Sequence, residues 1–296
     1  MAKLIYLELS GNPREVGLAL GQFGAHTLHT HVLPSVMWHD LMRWKSSAFL
    51  ERSLDAIAHT YPYIWNELHG LATGLELPVE DVFLWNAYAH YASDALCSKA
   101  GSGCFFSQNK QVQFEFPLLS TPIDNMPWAL AKCLPAQGSA YVALVQPGLL
   151  AGSALCMSQY GVMFASNPKL RASVDEHNQA LIPDFVRLRA LLELKNTQQL
   201  KKMLASPDVL NASQVQLLLR GGVALEAQSG LLKQLSVTSA SMSEAIPYDW
   251  DQPVGDGPAY IRAHANPASI DWRVYTSGSA TEPEFQFRDL VSTVSS

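Results

Sequence analysis

Gly101-Ser102-Gly103-Cys104-Phe105-Phe106-Ser107 divides this chain into two kinds of sequence. Upstream, apolar residues recur with the 3.6-residue period of helices; downstream the period drops to two. A Gly-Ser-Gly run gives the backbone unusual freedom directly before a cysteine that opens a strand. That setting suits a peptide bond that must be bent, exposed and attacked. Cys104 therefore reads as a nucleophile, and the Gly103–Cys104 bond as a site of self-cleavage.

Working upstream, residues 4–9 read as a short strand. Asn12-Pro13-Arg14-Glu15 then carries a helix start: a cap, proline at the first helical position, and a glutamate to close the capping box. Val16, Leu20 and Phe23 share one face of the helix that follows. Gly17, Gly21 and Gly24 cost about 1 kcal/mol each against alanine, so another element is expected to approach closely. Further helices are expected at 49–60, from Pro62 to a stop at Gly74, and from Pro78 towards Ala95.

Downstream, residues 105–108, an Asn109-Lys110 turn and residues 112–119 read as a β-hairpin. Strands are expected at 140–145, 149–157 and 162–166, helices at 182–194, 197–204 and 213–219, and strands again at 222–227, 235–239 and 259–263. Helices grouped apart from hairpin-linked strands give the class α+β. No linker or repeat divides the chain, so residues 1–296 read as one domain, which cleavage would split into 1–103 and 104–296.

Of 296 residues, 48% are hydrophobic and 16% charged, which describes a packed globular protein. A net charge of −6 with no Lys/Arg cluster excludes a nucleic-acid partner. No apolar run is long enough to cross a membrane, and residues 1–8 are too short and too soon acidic for a signal peptide. Cys97, Cys104, Cys133 and Cys156 lack metal-type or disulfide-framework spacing. A cytoplasmic protein without metal or organic cofactor is expected; a homo-oligomer is left open.

The chemistry needs few residues. After an N-to-S shift and hydrolysis, Cys104 carries a free α-amine with a reference pKa of about 7.7–8, close to a thiol's ~8.5, so it can serve as its own general base. Asp124 follows the second strand of the hairpin, where it can orient that ammonium. Asn167, at a strand end, suits an oxyanion-hole donor by residue type, a role whose loss typically costs about 10²–10³ in rate. Trp128 reads as core or pocket wall, and His264 as a pocket residue or a backbone-bonded core histidine. His26 and His29 share a helix face but lack the carboxylate and pattern of a metal site.

Several stretches, in order, resemble one family. They are Asn12-Pro13-Arg14-Glu15-Val16-Gly17, Glu67-Leu68-His69-Gly70-Leu71-Ala72-Thr73-Gly74, Leu77-Pro78-Val79-Glu80-Asp81-Val82 with Asn86, the Gly103-Cys104 junction, the segment to Asp124, Tyr160-Gly161-Val162-Met163-Phe164-Ala165-Ser166-Asn167, Arg189-Ala190-Leu191-Leu192-Glu193 and His264-Ala265-Asn266. Together they resemble the isopenicillin-N (acyl-CoA:6-aminopenicillanate) acyltransferase-like family of N-terminal-nucleophile (Ntn) hydrolases. The resemblance implies a four-layer αββα sandwich with an N-terminal helical segment, self-cleavage before Cys104, and a small-molecule acyl-amide or acyl-thioester substrate hydrolysed or transferred through a Cys104 acyl-enzyme. By position it assigns the nucleophile to Cys104, the orienting carboxylate to Asp124 and the oxyanion donor to Asn167. His264, Asn266 and Trp128 are candidate pocket residues. Phe105 and Phe106 stand where that family carries a small hydroxyl residue. Two other readings stay open: an uncleaved cysteine hydrolase using His264 as a separate base, and a non-catalytic binding module on the same fold.

Overall fold

The computed structural model describes residues 5–88, 104–108, 111–117, 126–152, 154–168, 182–205, 213–219, 223–228, 231–235, 260–266, 271–276 and 285–288. Strand β1 (Ile5–Gly11) is followed by helices α1 (Pro13–Thr27), α2 (Val36–Met42), α3 (Ala48–Thr60), α4 (Pro62–Leu75) and α5 (Val79–Asn86). Then come β2 (Cys104–Gln108), β3 (Gln111–Pro117), β4 (Ala129–Pro135), β5 (Tyr141–Val145), β6 (Leu155–Ser158) and β7 (Val162–Pro168). Helices α6 (Asp184–Leu191) and α7 (Thr197–Leu204) precede β8 (Ser213–Leu219), β9 (Val223–Gln228), β10 (Leu231–Leu235), β11 (Tyr260–Asn266), β12 (Asp271–Thr276) and β13 (Phe285–Arg288). The class is α+β.

The expected capping box opens α1: the Asn12 side chain accepts from Glu15 N, and Glu15 Oε2 accepts from Asn12 N at 2.7 Å. The close approach that its glycines require is made by α4. A Cβ on Gly17 would collide with the Glu67 carbonyl oxygen, and one on Gly70 with that of Arg14. Gly21 and Gly74 repeat the arrangement one turn on, against Leu71 O and Leu18 O. Gly74 is thus a packing residue and does not end its helix. The stop falls at Glu76, which takes the left-handed conformation at φ 57°.

Eight strands form one sheet in the order β1-β4-β5-β6-β7-β8-β9-β10, and five form a second, β13-β12-β11-β3-β2. Among the described residues, only the β1–β4 pairing is parallel. Residues 213–219 are a strand, not the expected helix; Gln214, Val215, Gln216 and Leu217 alternate with period two, and pairing with β7 and β9 decides their state. The strand expected over 149–157 is confined to β6, because Gly148 and Gly152 turn the chain at φ 77° and 110°. β4, β12 and β13 were absent from the sequence reading.

Ala131, Cys133, Tyr141, Ala143, Val145, Cys156, Phe164, Val215, Leu217 and Leu225 join the helices in one hydrophobic core. They mark the helix-packed face of the eight-stranded sheet. Leu130, Val142, Leu144, Leu155, Met157 and Met163 alternate with them and are also buried, yet lie outside that core. The second face is therefore covered as well.

Beneath the helices lies a buried ionic cluster. Arg189 Nε and Nη2 each sit 2.9 Å from Glu67 Oε2, and Nη1 lies 2.8 Å from Glu193 Oε1. The guanidinium stacks 4.5 Å from the Tyr141 ring centroid, and Tyr141 Oη donates to Glu67 Oε1 at 3.2 Å. Burial opposes the Arg189 charge, but Glu67, Tyr141 and Glu193 hold the proton and raise its pKa well above the usual value. This cluster ties α4, α6 and β5 together.

Candidate functional site

Cys104 is the first residue of β2, the edge strand of the five-stranded sheet. The antiparallel hairpin reads as expected, with Cys104 opposite Glu115 and Gln108 opposite Gln111. Continuing across, Glu115 is opposite Arg262, and Arg262 opposite Tyr275. One cross-strand row therefore carries Cys104, Glu115, Arg262 and Tyr275. The next row on the same face is Phe106, Gln113, His264, Arg273 and Gln286. The intervening rows carry Phe105, Phe114, Ala263, Val274 and Phe285, and Phe116 with Ile261.

His264 stands two strands across and two residues along from Cys104, about 12 Å between Cα atoms at ~4.8 Å per strand and ~3.4 Å per residue. That separation does not favour His264 as a general base, which must come within about 3.2 Å of the thiol or reach it through one water. Asn266 is opposite Asp271, at the far end of the sheet and about 17 Å from Cys104 by the same spacing. The two residues assigned to the pocket from the chain's end are thus not brought to the nucleophile. Gly103 and Asp124 lie outside the described residues.

Asn167 is near the end of β7 in the other sheet, opposite Gln214. It continues the alternation of Met163 and Ala165 and so belongs to the second face. Trp128, 8% exposed, precedes β4 and alternates with Leu130 onto the same face; its carbonyl accepts from Ile5 N at 3.1 Å. Two buried residues were not singled out in the sequence: Gln216, which its pairing with Ala165 puts on this face, and Gln146, just past the end of β5, 3% and 7% exposed. Gln146 Nε2 and Gln216 Oε1 are buried without a hydrogen-bond partner. Leaving such a group unpaired costs about 1–3 kcal/mol. The alternation in 213–219 was the signal for Gln216; the helical reading of that segment hid it.

Two of the other cysteines differ from what a nucleophile needs. Cys133 and Cys156 are fully enclosed, and burial pushes each thiol up to about 12. Both remain protonated at neutral pH and unreactive. Cys97 lies outside the described residues. His29 Nε2 makes a 2.8 Å hydrogen bond with the Leu75 carbonyl, and among the described residues no group of His, Cys, Asp and Glu gathers as a metal site. An open cavity of about 490 Å³ lies between the β6–β7 turn and the start of α7, lined by Gln159, Tyr160, Lys195 and Asn196 among others. It sits at the opposite end of β7 from Asn167.

Several stretches behind the family resemblance turn out to build the scaffold. Glu67 and Arg189 form the buried ionic cluster. Asn86 clamps the turn between β5 and β6, with Nδ2 donating to Gly148 O and Oδ1 accepting from Leu150 N. No protein-family model matches the chain, and no curated protein matches it.

Proposed function

We propose that the chain is a self-processed cysteine Ntn amidohydrolase or acyltransferase. The observation that carries the reading is the position of Cys104: first residue of a strand at the end of its sheet, directly after Gly-Ser-Gly. The Cys104 thiol attacks the Gly103 carbonyl, the peptide C–N bond breaks, and the nitrogen leaves as the new α-amine. Water hydrolyses the thioester, regenerating the thiol and freeing the Gly103 carboxylate. In turnover the same thiol, deprotonated by its own α-amine, attacks an acyl-amide or acyl-thioester. Asp124 orients the ammonium, and Asn167 donates to the oxyanion. The leaving group departs protonated, and water or an amine takes the acyl group.

The four-layer αββα arrangement belongs to this proposal. Its support is the second face of the eight-stranded sheet, which is covered although the core helices pack on the other face; a second sheet stacked there lies about 10 Å away.

Purified wild type is expected as two chains, and Cys104→Ala as one chain without hydrolysis. A Cys104→Ala protein that still cleaves amides would overturn the reading. An acylating thiol probe that labels folded Cys104 no faster than Cys133 or Cys156 would reduce the protein to a binding module.

A further inference from the structure

We propose that β1 is a dimerisation strand. Two copies of the chain join their eight-stranded sheets edge to edge, with β1 antiparallel to β1 of the second copy about a two-fold axis at Leu7. The inference is independent of the catalytic reading. β1 stands four strands from β7, about 19 Å from the sheet position of Asn167 at ~4.8 Å per strand.

The parallel pairing with β4 decides which groups β1 offers. Ile5 N donates to Trp128 O, and Gly11 O accepts from Ala136 N, so Ile5, Leu7, Leu9 and Gly11 bond to β4. Tyr6, Glu8 and Ser10, in between, direct their backbone N–H and C=O to the outer side. Among the described residues β1 ends its sheet. Ile5, Tyr6, Glu8 and Ser10 are all exposed, Ile5 and Tyr6 at 39%.

Sheet edges that stay single are blunted by a lysine, a proline, a bulge or a very short strand. The other end of this sheet follows the rule: β10 is five residues long with Lys233 at its centre. β1 does not. It runs seven residues in unbroken register with β4 and holds no proline. Its one charge, Glu8, is already met by Lys132 Nζ at 3.2 Å. A β1–β1 junction also closes on itself, whereas β1 on β10 of the next copy would extend without end.

Charge and pattern then choose the register. Outward residues must meet outward residues, so the two-fold axis falls on a residue and not between two. An axis at Glu8 sets two carboxylates directly opposite, which is destabilising. An axis at Tyr6 carries Glu8 and Ser10 beyond the partner's β1, and one at Leu9 leaves the exposed Ile5 and Tyr6 without a facing strand residue. An axis at Leu7 sets Leu7 opposite Leu7, Ile5 opposite Leu9, and Tyr6 opposite Glu8, a hydroxyl facing a carboxylate. The strand is self-complementary in that register.

The test is sedimentation and cross-linking of the full-length chain. At about 100 µM, well above a micromolar dissociation constant, wild type is expected to sediment as two copies. Tyr6→Pro removes an outward N–H and no bond to β4, a position where an edge strand accepts proline. It should raise the dimer dissociation constant at least tenfold while the single copy still unfolds cooperatively. For cross-linking, Cys97 and Cys104 are replaced by alanine. Leu7→Cys then faces its own copy in a non-hydrogen-bonded pair, about 4.5 Å between Cα atoms, and should oxidise to a covalent dimer. Ser10→Cys stands about 20 Å from its copy and should not. Wild type sedimenting as a single copy at that concentration overturns the proposal, as does a folded Tyr6→Pro protein that dimerises like wild type. Leu7→Cys that fails to cross-link, or Ser10→Cys that cross-links as readily, overturns it even where Tyr6→Pro does not fold.

Discussion

Arg189→Met should be the most destabilising single change in the helical layer. Arg189 and Glu67 are 3% and 1% exposed at the side chain, so neither can regain water when its partner leaves. Removing the guanidinium strips three N–H donors from two carboxylates and takes the cation off the Tyr141 ring. Truncating one partner of a buried pair costs about 3–5 kcal/mol. At roughly 2–4 °C per kcal/mol for chains of 150–250 residues, and toward the lower end for a longer one, the melting temperature should fall by roughly 6–15 °C. Chemical unfolding followed by circular dichroism reads the loss directly. Arg189→Lys should lose much of the same stability, because an ammonium cannot serve Glu67 and Glu193 with a planar fork. Glu67→Met/Arg189→Met, which removes both charges, should recover a large part of it. A loss below about 1 kcal/mol for Arg189→Met, or a double variant no better than the single one, would refute the claim that this pair is a buried, mutually dependent unit.

Gly70→Leu should separate α1 from α4, because a side chain there meets the Arg14 carbonyl; a loss of roughly 2 kcal/mol or more is expected in the same unfolding assay. The thiols of Cys133 and Cys156, pushed up to about 12, make the fold favour their neutral forms. Their contribution is complete below the unfolded thiol value of about 8.5 and declines above it, at up to about 1.4 kcal/mol per pH unit for each group, until pH passes the folded value. Replacing both by alanine should flatten that alkaline decline. An alkylating reagent at neutral pH should modify neither until the protein unfolds, which peptide mapping checks. Asn167→Ala should lower kcat by about 10²–10³ while leaving chain cleavage by mass to be scored separately.

How much was legible in the sequence follows from what each segment's neighbours do. The Asn12–Glu15 box and the hairpin after Cys104 could be read because their signals are local: a cap, a proline, a two-residue turn between alternating runs. Segment 213–219 was misread because a short run of Gln, Val and Leu is compatible with either state, and pairing with β7 and β9 supplied the decision. Gly74 was legible as special but not for the right reason, since only the approach of Leu18 shows why it has no side chain. Cys104 could be singled out from its flanks. Its row with Glu115 and Arg262 could not, because that row depends on a strand some 150 residues later in the chain. His264 and Asn266 illustrate the reverse: motif residues that the register holds away from the cysteine.

The central claim is that Cys104 becomes an N-terminal nucleophile, and intact mass spectrometry after treatment with a thiol-directed acylating probe tests it most directly. The account predicts two chains divided between Gly103 and Cys104, with a single probe on the fragment that begins at Cys104. An uncut chain that hydrolyses amides, or a probe carried on any other cysteine of the folded protein, would contradict it.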